Sequence, residues 1–303
     1  MANHIVLDSL ARSGTTLISA LLRSQERSVS FCPGFNEAIS YKNVGMPDSW
    51  PHGICRRSEF ITDNDEFDFD DFKKNTLEYI LSFKQLYHLS EKSWKSIITE
   101  SQSPVDLYRK IEGVFSEKGK DLFFYRWNQC FCFTEKWFSR GNDFKWLTVI
   151  RNPLDRACSS FQKHDWKFHD SLLSTIAFAE KLNNCLLTKD VPLHYVHYED
   201  LIKEPEKNIR SIYSFIGVEL ETINLTKIIG SNGKPFSPQS STTKFDEMGV
   251  IREKKDGYVP FEKFNGFSDK QIGRYKKECT ELTYKAFKQK LMRFPFYTRY
   301  FKD

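Results

Sequence analysis

Four short apolar runs set the limits on what this chain can fold into. Residues 4–7, 122–126, 146–150 and 193–196 are each too brief for a helix, nearly continuous in apolar character, and followed by a stretch with helical spacing. A strand covered on one face alternates apolar and polar residues, whereas an unbroken apolar strand is buried on both faces, as in a parallel sheet. The expectation is therefore an α/β fold, a central, mainly parallel sheet flanked by helices. The helix after the first run carries Leu17, Leu21 and Leu22 on its apolar face, which makes the N-terminus a βα unit. At 303 residues the chain has the length for one such domain, read as residues 1–303.

Two segments interrupt the alternation. Residues 59–71 hold seven acids and no base, interleaved with Phe60, Phe67 and Phe69, inside a helical and acidic insertion over about residues 38–118. Asp63, Asp65 and Asp68 lack the turn glycine and terminal Glu of an EF-hand, so the stretch reads as a solvated loop, with a lid or acceptor-facing segment as the alternative. Residues 231–241, rich in Ser, Pro and Gly, form the clearest long loop. Ser268 with Gln271 three residues on makes a capping box that predicts a final helix entered at Ile272.

Composition removes several classes. No apolar run approaches the roughly 18 residues of a membrane span, and Asp8 interrupts what would be the apolar core of a secretory peptide. The expectation is a cytoplasmic chain with no membrane span. Seven scattered cysteines with no C-x-x-C pair argue against structural zinc and a disulfide framework, and for reduced thiols. A formal charge of +5 falls short of a nucleic-acid binder's balance, so no nucleic-acid partner is expected. That charge is uneven: residues 252–303 hold 14 Lys and Arg against 7 Asp and Glu. The surplus is either a solvated helix face or the partner of an anion.

The loop after the first strand, Asp8-Ser-Leu-Ala-Arg-Ser-Gly-Thr-Thr-Leu17, joins a buried strand to a helix through small residues. Such a turn aims backbone N–H groups and the positive end of the helix at one spot, which suits phosphate or sulfate. It is not a Walker A loop, since Gly14 is followed by Thr15 and Thr16 where a Lys is required. The cation comes two residues earlier, as Arg12. Gly14 lets the backbone approach an anion, and Thr15 and Thr16 add hydroxyl donors.

Arg12-Ser-Gly-Thr-Thr-Leu17 resembles the 5′-phosphosulfate loop of sulfotransferases that use 3′-phosphoadenosine 5′-phosphosulfate (PAPS). Val149-Ile-Arg-Asn-Pro-Leu-Asp-Arg-Ala-Cys-Ser159 resembles the same family's 3′-phosphate segment, and Tyr198-Glu-Asp-Leu201 with Glu204-Pro205 its segment near the adenine. The three stand in the family's order. The resemblance implies a P-loop-like sulfotransferase fold and contacts to the nucleotide from Arg12, Ser13, Gly14, Thr15, Thr16, Leu17, Arg151, Ser159 and Tyr198. It also implies a C-terminal loop, about residues 230–266, that closes over the nucleotide. Arg252, Lys254, Lys255 and Gly257 are its candidates, although the Gly-x-Trp often found there reads Asp256-Gly-Tyr-Val.

The chemistry so implied is in-line transfer of a sulfuryl group to an acceptor hydroxyl, or an amine, with release of adenosine 3′,5′-bisphosphate. Like phosphoryl transfer it asks the protein for positioning and charge stabilisation, and no metal is expected. Arg12 would stabilise the departing phosphate, and a base must take the acceptor's proton. The family's cytosolic branch uses a His near the middle strand, but Phe124-Tyr-Arg-Trp-Asn-Gln129 contains none. The branch that includes tyrosylprotein sulfotransferases uses a Glu soon after the first helix, and Glu37 of Gly34-Phe-Asn-Glu-Ala38 stands in that place. His52, His88 and His164 are the alternatives. Arg126 occupies the position of a Lys that lies near the transferred group in that branch, and otherwise reads as an ordinary strand-end cation. The acceptor is left open between a small molecule, carbohydrate, lipid or peptide. A small-molecule kinase and a non-catalytic bisphosphate-nucleotide binding module are the competing readings.

Overall fold

A computed structural model of the chain describes residues 3–10, 12–31, 70, 73–74, 77, 89–127, 145–164, 167–188, 192–221, 223–225, 228, 244–245, 251–252 and 272–302. In chain order the elements are β1 (Asn3–Asp8), α1 (Thr15–Arg23), β2 (Ser28–Phe31), α2 (Glu91–Thr99), α3 (Pro104–Ser116), β3 (Leu122–Trp127) and β4 (Lys145–Ile150). They continue with α4 (Pro153–His164), α5 (Phe168–Thr188), β5 (Leu193–His197), α6 (Tyr198–Lys203) and α7 (Pro205–Ile216). The last are β6 (Lys244–Phe245), β7 (Ile251–Arg252), α8 (Tyr275–Glu278), α9 (Glu281–Leu291) and α10 (Pro295–Thr298).

Five strands form one sheet in the order β2-β3-β1-β4-β5, every pair parallel. Both faces are covered, as the unbroken apolar runs require. In β1, Val6 faces a core with Trp94, Phe123, Trp146, Phe178 and Phe287, while Ile5 and Leu7 face a second core with Leu21, Phe124, Val149, Ile209 and Tyr213. The four runs are thus β1, β3, β4 and β5. The edge strand β2 is not among them, because its sequence Ser-Val-Ser-Phe buries two serines, Ser28 and Ser30, beside Val29. Trp94 is fully buried in the core.

The end of the chain corrects one expectation. Helix does not begin at Ile272: residues 272–274 are bends and a turn, and the first helix beyond them is the four-residue α8. The longer α9 is capped by Thr280, whose hydroxyl accepts from Thr283 N at 3.2 Å. The reason lies in Asp155 of α4. Its fully buried carboxylate takes Gly273 N at 2.7 Å and Tyr275 N at 3.0 Å, which fixes this stretch as a turn around an acid. Beside it the buried Arg156 donates to Ser171 O, Ser174 Oγ and Thr175 Oγ1 at 2.5–2.9 Å and ties α4 to α5. Cys158 Sγ lies 3.6 Å from Cys279 Sγ, and Cys185 packs partly buried against the core. No helix among the described residues is long and apolar enough to cross a membrane.

Candidate functional site

The strand order reverses its progression between β1 and β4, and a crevice outside the carboxyl ends at such a point is where open parallel sheets bind ligands. Two motifs meet there. The loop after β1 and the Arg151-Asn152 turn after β4 are stitched together by Ser9, which is fully buried and whose Oγ accepts from Val149 N at 2.7 Å. The start of α6 joins them, since β5 pairs with β4 and places His197 opposite Ile150, so that Tyr198 and Arg151 leave adjacent strand ends.

Within the loop, Gly14 caps α1 with φ 98° and has no side chain to satisfy the helix's first N–H groups. The first helical hydrogen bond runs from Ile18 N to Gly14 O, 3.1 Å, so by helix geometry the amides of residues 15–17 are orphan donors at the positive end of the dipole. Gly14 is also required by contact, because a Cβ there would overlap the Tyr198 ring. Arg12 takes φ 71°, a left-handed conformation that costs a non-glycine residue roughly 1 kcal/mol or more. Strain of this size persists where surrounding bonds enforce it. Here Arg151 Nη1 donates to Arg12 O at 2.9 Å, and Arg12 Nε donates to Ser159 Oγ at 3.1 Å.

Four of the residues singled out by sequence therefore touch one another. Arg151, 6% exposed, also lies over the Tyr198 ring, 4.6 Å from its centroid. Ser13, Thr15, Ser159 and Tyr198 are buried around this cluster, and Thr16 is half-buried. Leu17 packs its side chain, partly buried, against the second core. Burial raises the Tyr198 phenol above its ordinary range, so the ring stays neutral. Two guanidinium groups, a hydroxyl, an aromatic face and a helix N-terminus converge, which is the donor set for an anion with several charges.

Other predicted site residues are described in part or not at all. Arg126 stands opposite Leu7 near the carboxyl end of β3, and only its backbone is described. Arg252 pairs with Lys244 in the two-stranded β6–β7 ribbon, again as backbone. Glu37, Lys254, Lys255 and Gly257 lie outside the described residues, as do His52 and His88. Sequence reasoning passed over three groups that hold the site. Ser9 was one small residue among several in the loop. Asn152 caps α4, its Oδ1 accepting from Leu154 N at 3.0 Å and Asp155 N at 3.3 Å. Glu199, 6% exposed, accepts from Asn152 N at 2.9 Å. The last two sit inside the quoted motifs, beside the residues that were named.

A family model described as "Sulfotransferase domain" matches residues 134–293, a span that takes in β4 through α9. Among solved structures, the sulfotransferase domain from the curacin biosynthetic pathway is 12% identical over 96% of this chain and 98% of its own, with a TM-score of 0.55. The likeness is one of fold. The sulfotransferase domain of the Synechococcus PCC 7002 olefin synthase aligns at 15% identity over 92% of this chain and 96% of its own, TM-score 0.48. Mouse sulfotransferase SULT7A1 complexed with PAP aligns at 16% over 96% and 84%, TM-score 0.43. No curated protein matches by sequence.

Proposed function

The chain belongs to the sulfotransferase family, and from that premise we propose that it transfers the sulfuryl group of PAPS to an acceptor hydroxyl, or an amine, and releases adenosine 3′,5′-bisphosphate. The observation that carries this reading is the contact between Arg12, Arg151, Ser159 and Tyr198 at the reversal of the strand order. The three motifs that hold these residues are far apart in sequence, and an incidental match would not bring them into one cluster of contacting side chains.

Each group has a task. The amides of residues 15–17, the hydroxyls of Thr15 and Thr16, and Arg12 hold the 5′-phosphosulfate end and offset the charge that grows on the leaving phosphate. Arg151 and Ser159 grip the 3′-phosphate, with Tyr198 beside the adenine. The transfer forms an oxygen–sulfur bond to the acceptor, breaks the one to the 5′-phosphate, and passes the acceptor's proton to Glu37. Arg126 holds sulfuryl oxygens. Arg252, Lys254, Lys255 and Gly257 belong to a loop of about residues 230–266 that closes over the 3′-phosphate. The chain serves as one domain whose insertion, about residues 38–118, helps build the acceptor pocket. Cationic side chains supply the charge stabilisation, so no metal is assigned, and the chain is assigned to the cytoplasm.

The test is incubation with PAPS and a mixed panel of sugars, lipids, phenols and peptides, read by mass spectrometry for products heavier by one sulfuryl group and for released bisphosphate. Transfer from ATP in place of PAPS would make the protein a kinase. Tight bisphosphate binding with no product from any acceptor would make it a binding module.

A further inference from the structure

The run Tyr198-Glu199-Asp200 makes three separate connections. Tyr198 lies beneath Arg151. Asp200 takes both terminal nitrogens of Arg299 at 2.7 Å each, which draws in the end of the chain beyond α10. Glu199 uses one carboxylate oxygen for Asn152 N, at 2.9 Å, and the other for the hydroxyl of Tyr300, at 2.7 Å. Asn152 directly follows Arg151 and caps the helix that carries Ser159. One buried carboxylate therefore bridges the chain's C-terminal turn to the peptide that orients two of the nucleotide-site residues.

An ionised carboxylate only accepts, so the Tyr300 hydroxyl proton points to Glu199. His197 Nδ1 lies 2.7 Å from the same phenolic oxygen, to which it donates in the tautomer that carries the proton on Nδ1. Burial, helped by the Arg299 charge, pushes the His197 pKa down to about 4, which keeps the ring neutral. Burial also raises the Glu199 pKa, against the pull of Asn152 N–H, Tyr300 and the Arg151 charge. Glu199 is thus within electrostatic reach of Arg151. Without the Tyr300 proton, its second oxygen is a buried acceptor that has lost a donor, and its charge is drawn to the guanidinium that an anionic ligand needs.

We propose that Tyr300 is a positioning residue for the grip on the 3′-phosphate: its hydroxyl holds Glu199 on the Arg151–Asn152 peptide and away from the Arg151 guanidinium. The inference rests on the nucleotide site proposed above. It concerns only the 3′-phosphate end, so adenosine 5′-monophosphate, which lacks that group, is the internal reference.

The experiment is calorimetric titration of the full chain with adenosine 3′,5′-bisphosphate and with adenosine 5′-monophosphate, for the wild type, Tyr300→Phe, Glu199→Gln and Glu199→Ala, with melting curves alongside. Tyr300→Phe should weaken the bisphosphate about tenfold, the effect of one charge-assisted hydrogen bond, and leave the monophosphate within about twofold. Glu199→Ala should show the same selective loss, and Glu199→Gln, which still accepts from Asn152 N–H, should recover part of it. That pair decides the matter if Tyr300→Phe does not fold. A wild-type preference for the bisphosphate that survives in Tyr300→Phe overturns the positioning role alone. Equal weakening of both nucleotides with a lower melting temperature reduces Tyr300 to a structural residue and also overturns it. A wild type with no preference for the bisphosphate overturns the nucleotide site itself and this proposal with it.

Discussion

The ring of Tyr198 fills the space that a side chain on residue 14 would need: a Cβ built on Gly14 would overlap Tyr198 Cδ2 and lie 2.8 Å from Cε2. Gly14 also holds φ 98°, so alanine there meets both backbone strain and a ring fixed beneath Arg151. Gly14→Ala should lose about 2 kcal/mol of stability or more, roughly half from the left-handed backbone and the rest from the displaced ring. In a Tyr198→Ala background the same change should cost only the backbone part, about 1 kcal/mol. Chemical denaturation of the four proteins in this cycle measures the difference, and equal costs in both backgrounds would remove the Tyr198 contact from the account.

Arg151 is buried, donates to Arg12 O, and lies over Tyr198, so its guanidinium is held before any ligand arrives. Removing it as Arg151→Met should cost on the order of 2 kcal/mol of bisphosphate affinity. Arg151→Lys should recover little, because a single ammonium reproduces neither the fork nor the stacking. An unchanged dissociation constant in Arg151→Met would sink its assignment to the 3′-phosphate.

At Arg12 the backbone and the side chain can be separated. Its φ of 71° is natural for glycine and strained for arginine or alanine. Arg12→Gly and Arg12→Ala both delete the guanidinium and should both lose turnover by two orders of magnitude or more, the effect of about 3 kcal/mol of transition-state stabilisation. The glycine variant should nevertheless be more stable than the alanine variant by about 1 kcal/mol. Equal stability would mean that the loop relaxes out of the left-handed conformation once the side chain is gone.

What could be read from sequence, and what could not, divides along physical lines. β1, β3, β4 and β5 were legible because burial on both faces leaves unbroken apolar runs, whereas β2 was not, because two of its four residues are buried serines. Arg12 was legible as the cation of an anion-binding turn, and Arg151, Ser159 and Tyr198 through the motifs that resemble the sulfotransferase family; their convergence follows from parallel pairing that sets their strand ends side by side. Asp155 and Tyr300 were not legible. Each acts through a partner about a hundred residues or more away, Gly273 and Tyr275 for the first and Glu199 for the second, and no local pattern records such a pairing. The final helix was misplaced for the same reason: the capping-box pattern at Ser268 is local, while the acid that organises residues 273–275 belongs to α4.

The base assigned by resemblance, Glu37, can be tested without reference to its surroundings. Glu37→Gln should keep bisphosphate affinity within about twofold while turnover falls by about 10²-fold or more, the usual contribution of a positioned base. A parallel loss of binding would move Glu37 to the nucleotide site, and retained turnover would move the base to His52, His88 or His164.

His197 gives the fold a pH signature of known sign. Its pKa lies at about 4 in the folded protein, below the ordinary value of 6.5, chiefly because the ring is buried. Between those two values the unfolded chain binds the proton and the folded chain does not, so stability is fully present above pH 6.5 and is lost as pH falls toward about 4. The slope from this group is at most about 1.4 kcal/mol per pH unit. His4 and His194 are shifted in the same direction by burial, so the wild-type curve alone does not isolate His197. The difference between the wild type and His197→Gln does, since glutamine does not titrate and the other histidines cancel. Urea denaturation at pH 7, 6 and 5 should show the variant losing less stability than the wild type on acidification. Parallel curves would mean that His197 takes up its proton in the folded state, with a pKa near the ordinary value, and that the Nδ1–H bond to Tyr300 does not depend on a neutral ring.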